Sequence, residues 1–373
     1  MKNFDAALHF TILYSALVAF SFFCGAFKQM PSERKKRYLF VVFLALGIIM
    51  AFRSITVGND TDSYVSMFRR ALAYSNPIDA INASSSEAGY VLYSWILGQI
   101  YPNARILFVV TATIVCWSLG AFIYKNCEIP GLFCCLVVGL LMFDFFLSII
   151  RQALAMAFLL FAFNAMMEKK VVKYYLLVII AILFHNAVIV FLLLYPVYWF
   201  VENQGKLKYG FIGIMAFLVF VFSYYFNAFV RLAIRLMPKY QYYLNAITLN
   251  GQPRLAVILN IAVYTLLFAA PRFIRGRREP QSRMESLATF FAGTNILFLF
   301  ASVRAPLLTR IAQSMAPFCV LQFTNNVHKL SINNRKILTA LTCIAFYAYG
   351  LIVVVLRTPE WQTTYPIDLS WLI

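Results

Sequence analysis

Long runs of apolar residues alternate with short polar breaks along almost the whole chain. A helix needs about 20 such residues to cross the hydrocarbon core of a membrane, whereas the strands of a membrane barrel would alternate in polarity. The runs therefore predict an all-α, polytopic membrane bundle of about 11–12 transmembrane helices in a single domain, residues 1–373. The predicted helices cover residues 8–27, 38–52, 106–124, 131–149, 152–167, 173–201, 209–226, 255–272, 286–303, 307–324 and 337–356.

Two segments leave the topology open between two schemes. In the first scheme, residues 87–101 contain only an interfacial or re-entrant piece, and residues 173–201 fold as two short helices that turn at His185 and Asn186. In the second scheme, residues 90–101 cross the membrane and residues 173–201 form one long helix. Short basic loops stay on the cytoplasmic side. We favour the first scheme because it places the basic cluster of Glu168 to Lys173 inside.

Composition and charge agree with a membrane protein. The chain is 62% hydrophobic and only 12% charged, whereas about a quarter of the residues of a soluble domain are charged. The strongest basic loops, residues 28–37, 272–283 and 328–336, are predicted to be cytoplasmic. That orientation places the loops 53–104 and 227–253 outside, where we expect them to form a substrate cleft.

The sequence offers no candidate for a bound cofactor. Its seven cysteines lie almost wholly in apolar runs and show no C-x-x-C spacing, so we interpret them as packing residues. No compact acidic cluster is present beyond Asp60 and Asp62. We therefore expect no metal and no cofactor, and we expect no nucleic-acid partner.

The basic residues predicted outside are mainly arginines. Orientation alone does not require arginine there, and its five-donor guanidinium suits bidentate contact with phosphate. The outer arginines therefore indicate a site for an anionic, phosphate-bearing substrate at the outer surface. Some of them, such as Arg69 and Arg105, equally suit the role of interface anchors.

Several acids and one histidine are candidates for proton transfer. Asp60 and Asp62 follow a glycine turn, although Asp60 equally suits a helix N-cap. Glu87 opens an apolar segment, where partial burial would raise its pKa towards neutral. Arg151 has Asp144 two turns upstream, and the two charges would pair at membrane depth. His185 lies in an apolar stretch, where a core packing role is equally open.

The order of these residues resembles the EpsG/Wzy-type family of bacterial polysaccharide polymerases over most of the chain. The family pattern runs R-x4-G-x-D-x-D-x-Y, E-x-G-Y, R-Q-x-L-A, F-H-N, K-Y-x-x-Y and a late arginine in an apolar helix. The matching residues are Arg53, Gly58, Asp60, Asp62, Tyr64, Glu87, Gly89, Tyr90, Arg151, Gln152, Ala155, His185, Lys239, Tyr240, Tyr243 and Arg310.

The resemblance implies a multi-pass glycosyltransferase of the bacterial inner membrane, with its active site facing the periplasm or exterior. Such enzymes join oligosaccharide repeat units carried on undecaprenyl pyrophosphate, among membrane lipids and with a possible chain-length regulator protein as partner. The resemblance also implies that pyrophosphate is bound by Arg53, Arg151, Arg304, Arg310 and Arg254. The candidate bases are Glu87, His185, Asp60 and Asp62, and the sugar-binding residues are Tyr64, Tyr240, Tyr243 and Trp361.

Three other activities remain open at this stage. An O-antigen ligase would use the same donor with a different acceptor. A membrane O-acyltransferase also uses a histidine in an apolar setting, but it leaves the outer arginines unexplained. A flippase or carrier for a lipid-linked glycan would need charge in a cavity that opens to both faces.

Overall fold

A computed structural model describes residues 2–205, 207–236, 255–275, 282–358 and 364–370. These residues form 17 α-helices and, within the described ranges, no strand. The helices are α1 Lys2–Phe23, α2 Ser32–Phe52, α3 Thr61–Leu72, α4 Pro77–Asn82, α5 Ala88–Ile100, α6 Arg105–Asn126, α7 Pro130–Gly139, α8 Met142–Ser148, α9 Ile150–Met167, α10 Val171–Phe184, α11 Phe191–Asn203, α12 Leu207–Tyr224, α13 Phe226–Leu236, α14 Leu255–Arg275, α15 Arg283–Ser302, α16 Thr309–His328 and α17 Ile332–Arg357.

The predicted membrane bundle is confirmed. Seven described helices are long and apolar enough to cross a membrane, and the number is nine if each of two bent pairs forms one span. The predicted spans 38–52 and 307–324 are also helical, as α2 and α16. These two helices are not among the seven because they contain more charged or polar residues.

The chain packs as two compact units. The first contains Met1–Ala165, Val171–Asn186 and Thr324–Ile373, and its centre is α7, which is buried at every position. Around α7, helix α1 packs on α17 and helix α2 packs on α6. The second unit contains Met166–Lys170 and Ala187–Phe323.

The helices of the first unit are joined by loops at two ends. We call the end that carries the basic loop after α1 the basic end, and the other the opposite end. At the basic end, Gln29 Nε2 donates to Glu128 Oε2 at 3.1 Å, and Lys35 Nζ donates to the Cys127 carbonyl. At the opposite end, the backbone N–H of Ser54 donates to the carbonyl of Asp368 at 2.8 Å. The C-terminal tail therefore folds back against the loop that follows α2.

The second unit is organised around α15. Its N-terminus carries a capping box, in which Ser282 and Glu285 satisfy each other's backbone N–H groups. Arg283 Nη1 lies 3.1 Å from Glu202 Oε1 of α11. Asn295 Nδ2 donates to the carbonyl of Ala312 in α16 at 2.7 Å.

Two predicted helices are interrupted. Residues 131–149 were predicted as one helix, but the chain bends by 56° between α7 and α8, where Leu141 has a left-handed φ of 57°. Both halves are buried, so packing outweighs the helix propensity of the leucines. Residues 173–201 break at His185, between α10 and the 3-10 turn Asn186–Val190. A break there agrees with the favoured topology.

Helix α5 also fits that scheme. Its 13 residues rise by roughly 20 Å at 1.5 Å per residue, which is less than the hydrocarbon thickness of about 30 Å. The predicted interfacial or re-entrant piece is therefore a helix too short to cross the hydrocarbon core.

Candidate active site

Three helix ends bring a carboxylate, a guanidinium and an imidazole together in the first unit. Glu87 precedes α5, Arg151 opens α9 and His185 follows α10. Glu87 Oε2 accepts a hydrogen bond from Arg151 Nη1. The other oxygen, Oε1, lies 3.6 Å from His185 Nδ1 and accepts the backbone N–H of Asn186 at 3.2 Å. We refer to Glu87, Arg151, His185 and this N–H group as the Glu87 cluster.

Gly89 explains how Glu87 reaches the end of α10. A Cβ atom at Gly89 would lie 2.7 Å from both the Cβ and the carbonyl oxygen of Leu183. Only glycine therefore allows α5 to approach α10 this closely. The N–H of His185 still bonds to Ala181, but the N–H of Asn186 turns to Glu87 instead of continuing the helix.

The cluster keeps Glu87 ionised. Burial would raise the pKa of its carboxyl, but the neighbouring His185 and the charge of Arg151 outweigh burial and lower the pKa to about 2. The expectation of a raised pKa is therefore wrong, because it considered burial without these partners. A carboxylate this acidic is a poor proton acceptor at neutral pH, whereas the adjacent imidazole is suited to that task.

Arg151 combines a fixed position with donors that Glu87 does not use. Its side chain is 25% exposed. One terminal nitrogen binds Glu87, and Tyr64 is a further hydrogen-bonding partner. The buried Nε has no hydrogen-bond partner within the described ranges. Tyr64 packs edge-on against Tyr90, with ring centroids 5.7 Å apart, so both motif tyrosines are buried next to the cluster.

Arg53 has a different environment, because its guanidinium is fully buried among backbone carbonyls. Nε donates to Val57 at 3.3 Å, Nη2 donates to Leu147 at 2.9 Å, and Nη1 donates to Met50. Its Cζ lies 4.6 Å from the ring centroid of Phe108. Burial lowers the pKa of Arg53 to about 9, which leaves the group charged at neutral pH.

Gly58 belongs to the same structural arrangement. Its φ of +92° is a left-handed conformation, and an added Cβ would lie 3.0 Å from the carbonyl oxygen of Leu147. Arg53 and Gly58 thus hold the loop after α2 against the end of α8. The first half of the R-x4-G-x-D-x-D-x-Y motif therefore shapes this loop.

The two aspartates of the motif lie at the start of α3. Asp60 occupies the N-cap position, but its side chain makes no capping hydrogen bond. It is half-buried and lies one helical turn before Tyr64, on the same face of α3. Asp62 is exposed. Of the two carboxylates, Asp60 is therefore the one placed on the face of Tyr64.

The expected pairing of Asp144 with Arg151 is wrong. Arg151 pairs with Glu87, while the buried Asp144 lies beside Thr364 and Tyr365 of the C-terminal tail. The break between α8 and α9, where Ile149 has a φ of -122° and a ψ of 69°, takes Asp144 and Arg151 out of one continuous helix. Within the described ranges, no group of three or more metal-ligating side chains is found.

A comparison with protein families matches the EpsG family over residues 8–368. The chain belongs to the EpsG family. Membership supports a role like that of a polysaccharide polymerase in general. Comparisons with curated proteins and with solved structures find no match.

The other arginines predicted for this EpsG-family chain belong to the second unit. Arg304 is exposed after α15, and its Cζ lies 5.6 Å from the ring centroid of Tyr224. Arg310 is half-buried in the first turn of α16. Both remain predicted pyrophosphate ligands. The remaining predicted residues lie outside the described ranges: Arg254, Tyr240, Tyr243 and Trp361.

Sequence reasoning missed several groups that build the site. These are main-chain or apolar groups: the Asn186 N–H, the Leu147 carbonyl, the Leu183 backbone and the ring of Phe108. Such groups carry no chemical signature in the sequence. Gly58 and Gly89 were the available signals, since each marks a close backbone approach.

Proposed function

We propose that this chain is a polysaccharide polymerase. It would transfer a growing glycan from undecaprenyl pyrophosphate onto the next lipid-linked repeat unit. The observation that carries the proposal is the convergence of Glu87, Arg151 and His185 at three helix ends. This cluster combines a proton acceptor with a cation, which are the two groups that the reaction needs.

In this proposal His185 is the general base. Its imidazole takes the proton of the acceptor hydroxyl while that oxygen bonds to the anomeric carbon of the donor glycan. The bond from this carbon to the pyrophosphate oxygen breaks. Glu87 is a positioning residue that orients His185 and stabilises the imidazolium, as a carboxylate does beside a catalytic histidine. Their separation of 3.6 Å can shorten when substrate binds.

Arg151 would stabilise the leaving group. Breaking the bond to the anomeric carbon places negative charge on the pyrophosphate, which a preorganised guanidinium stabilises. The Arg151 side chain is 25% exposed, so a phosphate oxygen can approach the guanidinium beside the nitrogen that binds Glu87. Glu87 fixes Arg151 through one terminal nitrogen, so little reorientation is needed when the substrate arrives.

The cluster would face the exterior. It lies with the loop after α2 and the C-terminal tail, at the end of the first unit opposite Lys35 and Glu128. Basic loops remain cytoplasmic, so the opposite end would face the periplasm or the exterior. An engineered thiol at Asn186 should react with an impermeant maleimide added outside, and one at Ser331 should not. Reaction of the 186 thiol only from the cytosol would refute this orientation.

Polymerisation by purified protein in vesicles tests the activity. Given lipid-linked repeat units, the protein should produce a ladder of increasing glycan length on the lipid carrier. A single transfer to lipid A core sugars would support a ligase, and transfer of acyl groups would support an acyltransferase. Movement of substrate across the vesicle membrane without polymer would support a carrier.

Variants of the cluster locate the activity. Arg151→Ala and His185→Asn should each lower the polymerisation rate by roughly 100-fold or more, as expected for loss of a charge-stabilising group or a general base. Arg151→Lys should recover little, because an ammonium cannot hold Glu87 and phosphate in the same geometry. Arg69→Ala is the matched control, since Arg69 is exposed on α3. Wild-type rates in both cluster variants would remove the assignment.

A further inference from the structure

Helices α1 and α17 pack against each other and also line an open groove. Where they are in contact, Thr11 Oγ1 and the Tyr347 hydroxyl are 3.0 Å apart. A Cβ atom at Gly350 would overlap Cζ of Phe10. The Tyr14 hydroxyl also donates to the Cys343 carbonyl, at 2.9 Å. The two helices leave an open groove of about 1070 Å³ between them.

The groove has the length of one membrane leaflet. Its α17 wall extends from Arg335 to Tyr347. That stretch rises by roughly 18 Å at 1.5 Å per residue, slightly more than half of the hydrocarbon thickness of about 30 Å. Apolar side chains such as Val18, Phe22 and Ile344 form most of the lining. An acyl chain therefore suits the groove in length and in polarity.

Three cations stand at the mouth of the groove: Lys28, Arg335 and Lys336. Among the described residues, none of the three has a carboxylate within ion-pair distance. Arg335 Nη1 donates to the His328 carbonyl at 3.4 Å. The mouth is thus a concentration of uncompensated positive charge beside an apolar groove.

The hydroxyl of Thr339 lies between these two regions. Thr339 lines the groove, is 7% exposed, and its Oγ1 has no hydrogen-bond partner in the described part of the chain. It lies one helical turn beyond Arg335. A ligand with a phosphate at the mouth and an ester linkage one turn deeper would match both the charges and this hydroxyl.

We propose that this groove is a binding site for an anionic phospholipid of the cytoplasmic leaflet. The phosphate contacts Arg335, Lys336 and Lys28, and one acyl chain lies between α1 and α17. Basic pockets between membrane helices on the cytoplasmic side recognise anionic lipid headgroups in this way. The proposal is independent of the transfer reaction, because the groove lies at the basic end of the first unit.

Lipid retention tests the proposal. The full-length protein is placed in nanodiscs of equal phosphatidylglycerol and phosphatidylcholine, transferred to mild detergent, and its bound lipids are counted by mass spectrometry. The protein should retain phosphatidylglycerol in clear preference to phosphatidylcholine. Arg335→Gln combined with Lys336→Gln should lower its affinity by roughly 25-fold, from about fivefold per cation removed.

Two further variants separate the groove from general surface charge. Arg37→Gln with Lys125→Gln removes two exposed cations that do not line the groove, and retention should remain unchanged. Ala340→Trp fills the groove without altering charge and should abolish retention. Equal retention of both lipids, or equal loss in the two double variants, would overturn the proposal. Displacement of phosphatidylglycerol by polyprenyl phosphate would assign the groove to the lipid carrier instead and would also overturn it.

Discussion

Replacement of Arg53 by methionine should destabilise the protein rather than impair substrate binding. Arg53 is fully buried, and its three hydrogen bonds hold the carbonyls of Met50, Val57 and Leu147. Methionine restores apolar volume but donates no hydrogen bond. Each buried acceptor left unsatisfied costs about 1–3 kcal/mol. The free energy of unfolding should therefore fall by about 3–6 kcal/mol if water satisfies some of the three carbonyls.

A loss of that size is a large fraction of the net stability of a typical folded protein, which is about 5–15 kcal/mol. Arg53→Met should therefore accumulate poorly and lower the midpoint of thermal unfolding, measured in detergent by size-exclusion chromatography after heating. The abundance and thermal midpoint of Arg53→Lys should lie between those of the wild type and of Arg53→Met. An ammonium keeps the charge but cannot reach three carbonyls at once. Arg69→Met, at an exposed position of α3, controls for the loss of an arginine.

The result that would refute this reasoning is specific. Arg53→Met with wild-type abundance and thermal midpoint, but without polymerisation, would show that Arg53 acts on substrate. That outcome would support the pyrophosphate role that sequence alone suggested for Arg53.

Two other perturbations follow from the Glu87 cluster. Gly89→Ala places a methyl group 2.7 Å from the Leu183 carbonyl oxygen and should abolish polymerisation in the vesicle assay by displacing Glu87. Gly213→Ala is the control, because Gly213 has open space around it, and it should leave polymerisation unchanged. The pKa of Glu87 is lowered from 4.5 to about 2, so its ionised form stabilises the fold by about 3 kcal/mol above pH 4.5. That contribution should be lost as the pH falls from 4.5 to 2, so the thermal midpoint should fall less over this interval in Glu87→Gln than in the wild type.

The long apolar helices could be predicted from sequence because membrane insertion depends on local composition. Residues 106–124 and 337–356 were predicted as helices and lie within α6 and α17. The break at Leu141 could not be predicted, since leucine favours helices and the left-handed conformation is held by packing. The break at His185 could be predicted because polar residues interrupt a long apolar run.

The candidate site was predictable in its residues but not in its pairings. Charge at membrane depth requires a partner, yet the sequence cannot tell which acid meets Arg151. Asp144 was nearer along the chain, while the actual partner, Glu87, is separated from Arg151 by 64 residues. The choice depends on the break between α8 and α9 and on the close contact at Gly89, both of which are three-dimensional.

Chemical rescue tests the central claim most directly, namely that Arg151 stabilises the leaving pyrophosphate while His185 accepts the proton. Polymerisation by Arg151→Ala should recover when free guanidinium is added, and polymerisation by His185→Ala should recover with imidazole but not with guanidinium. Recovery in each case requires that the small molecule supplies the missing group at the reacting atoms. Wild-type polymer from Arg151→Ala without guanidinium, or from His185→Ala without imidazole, would contradict the account.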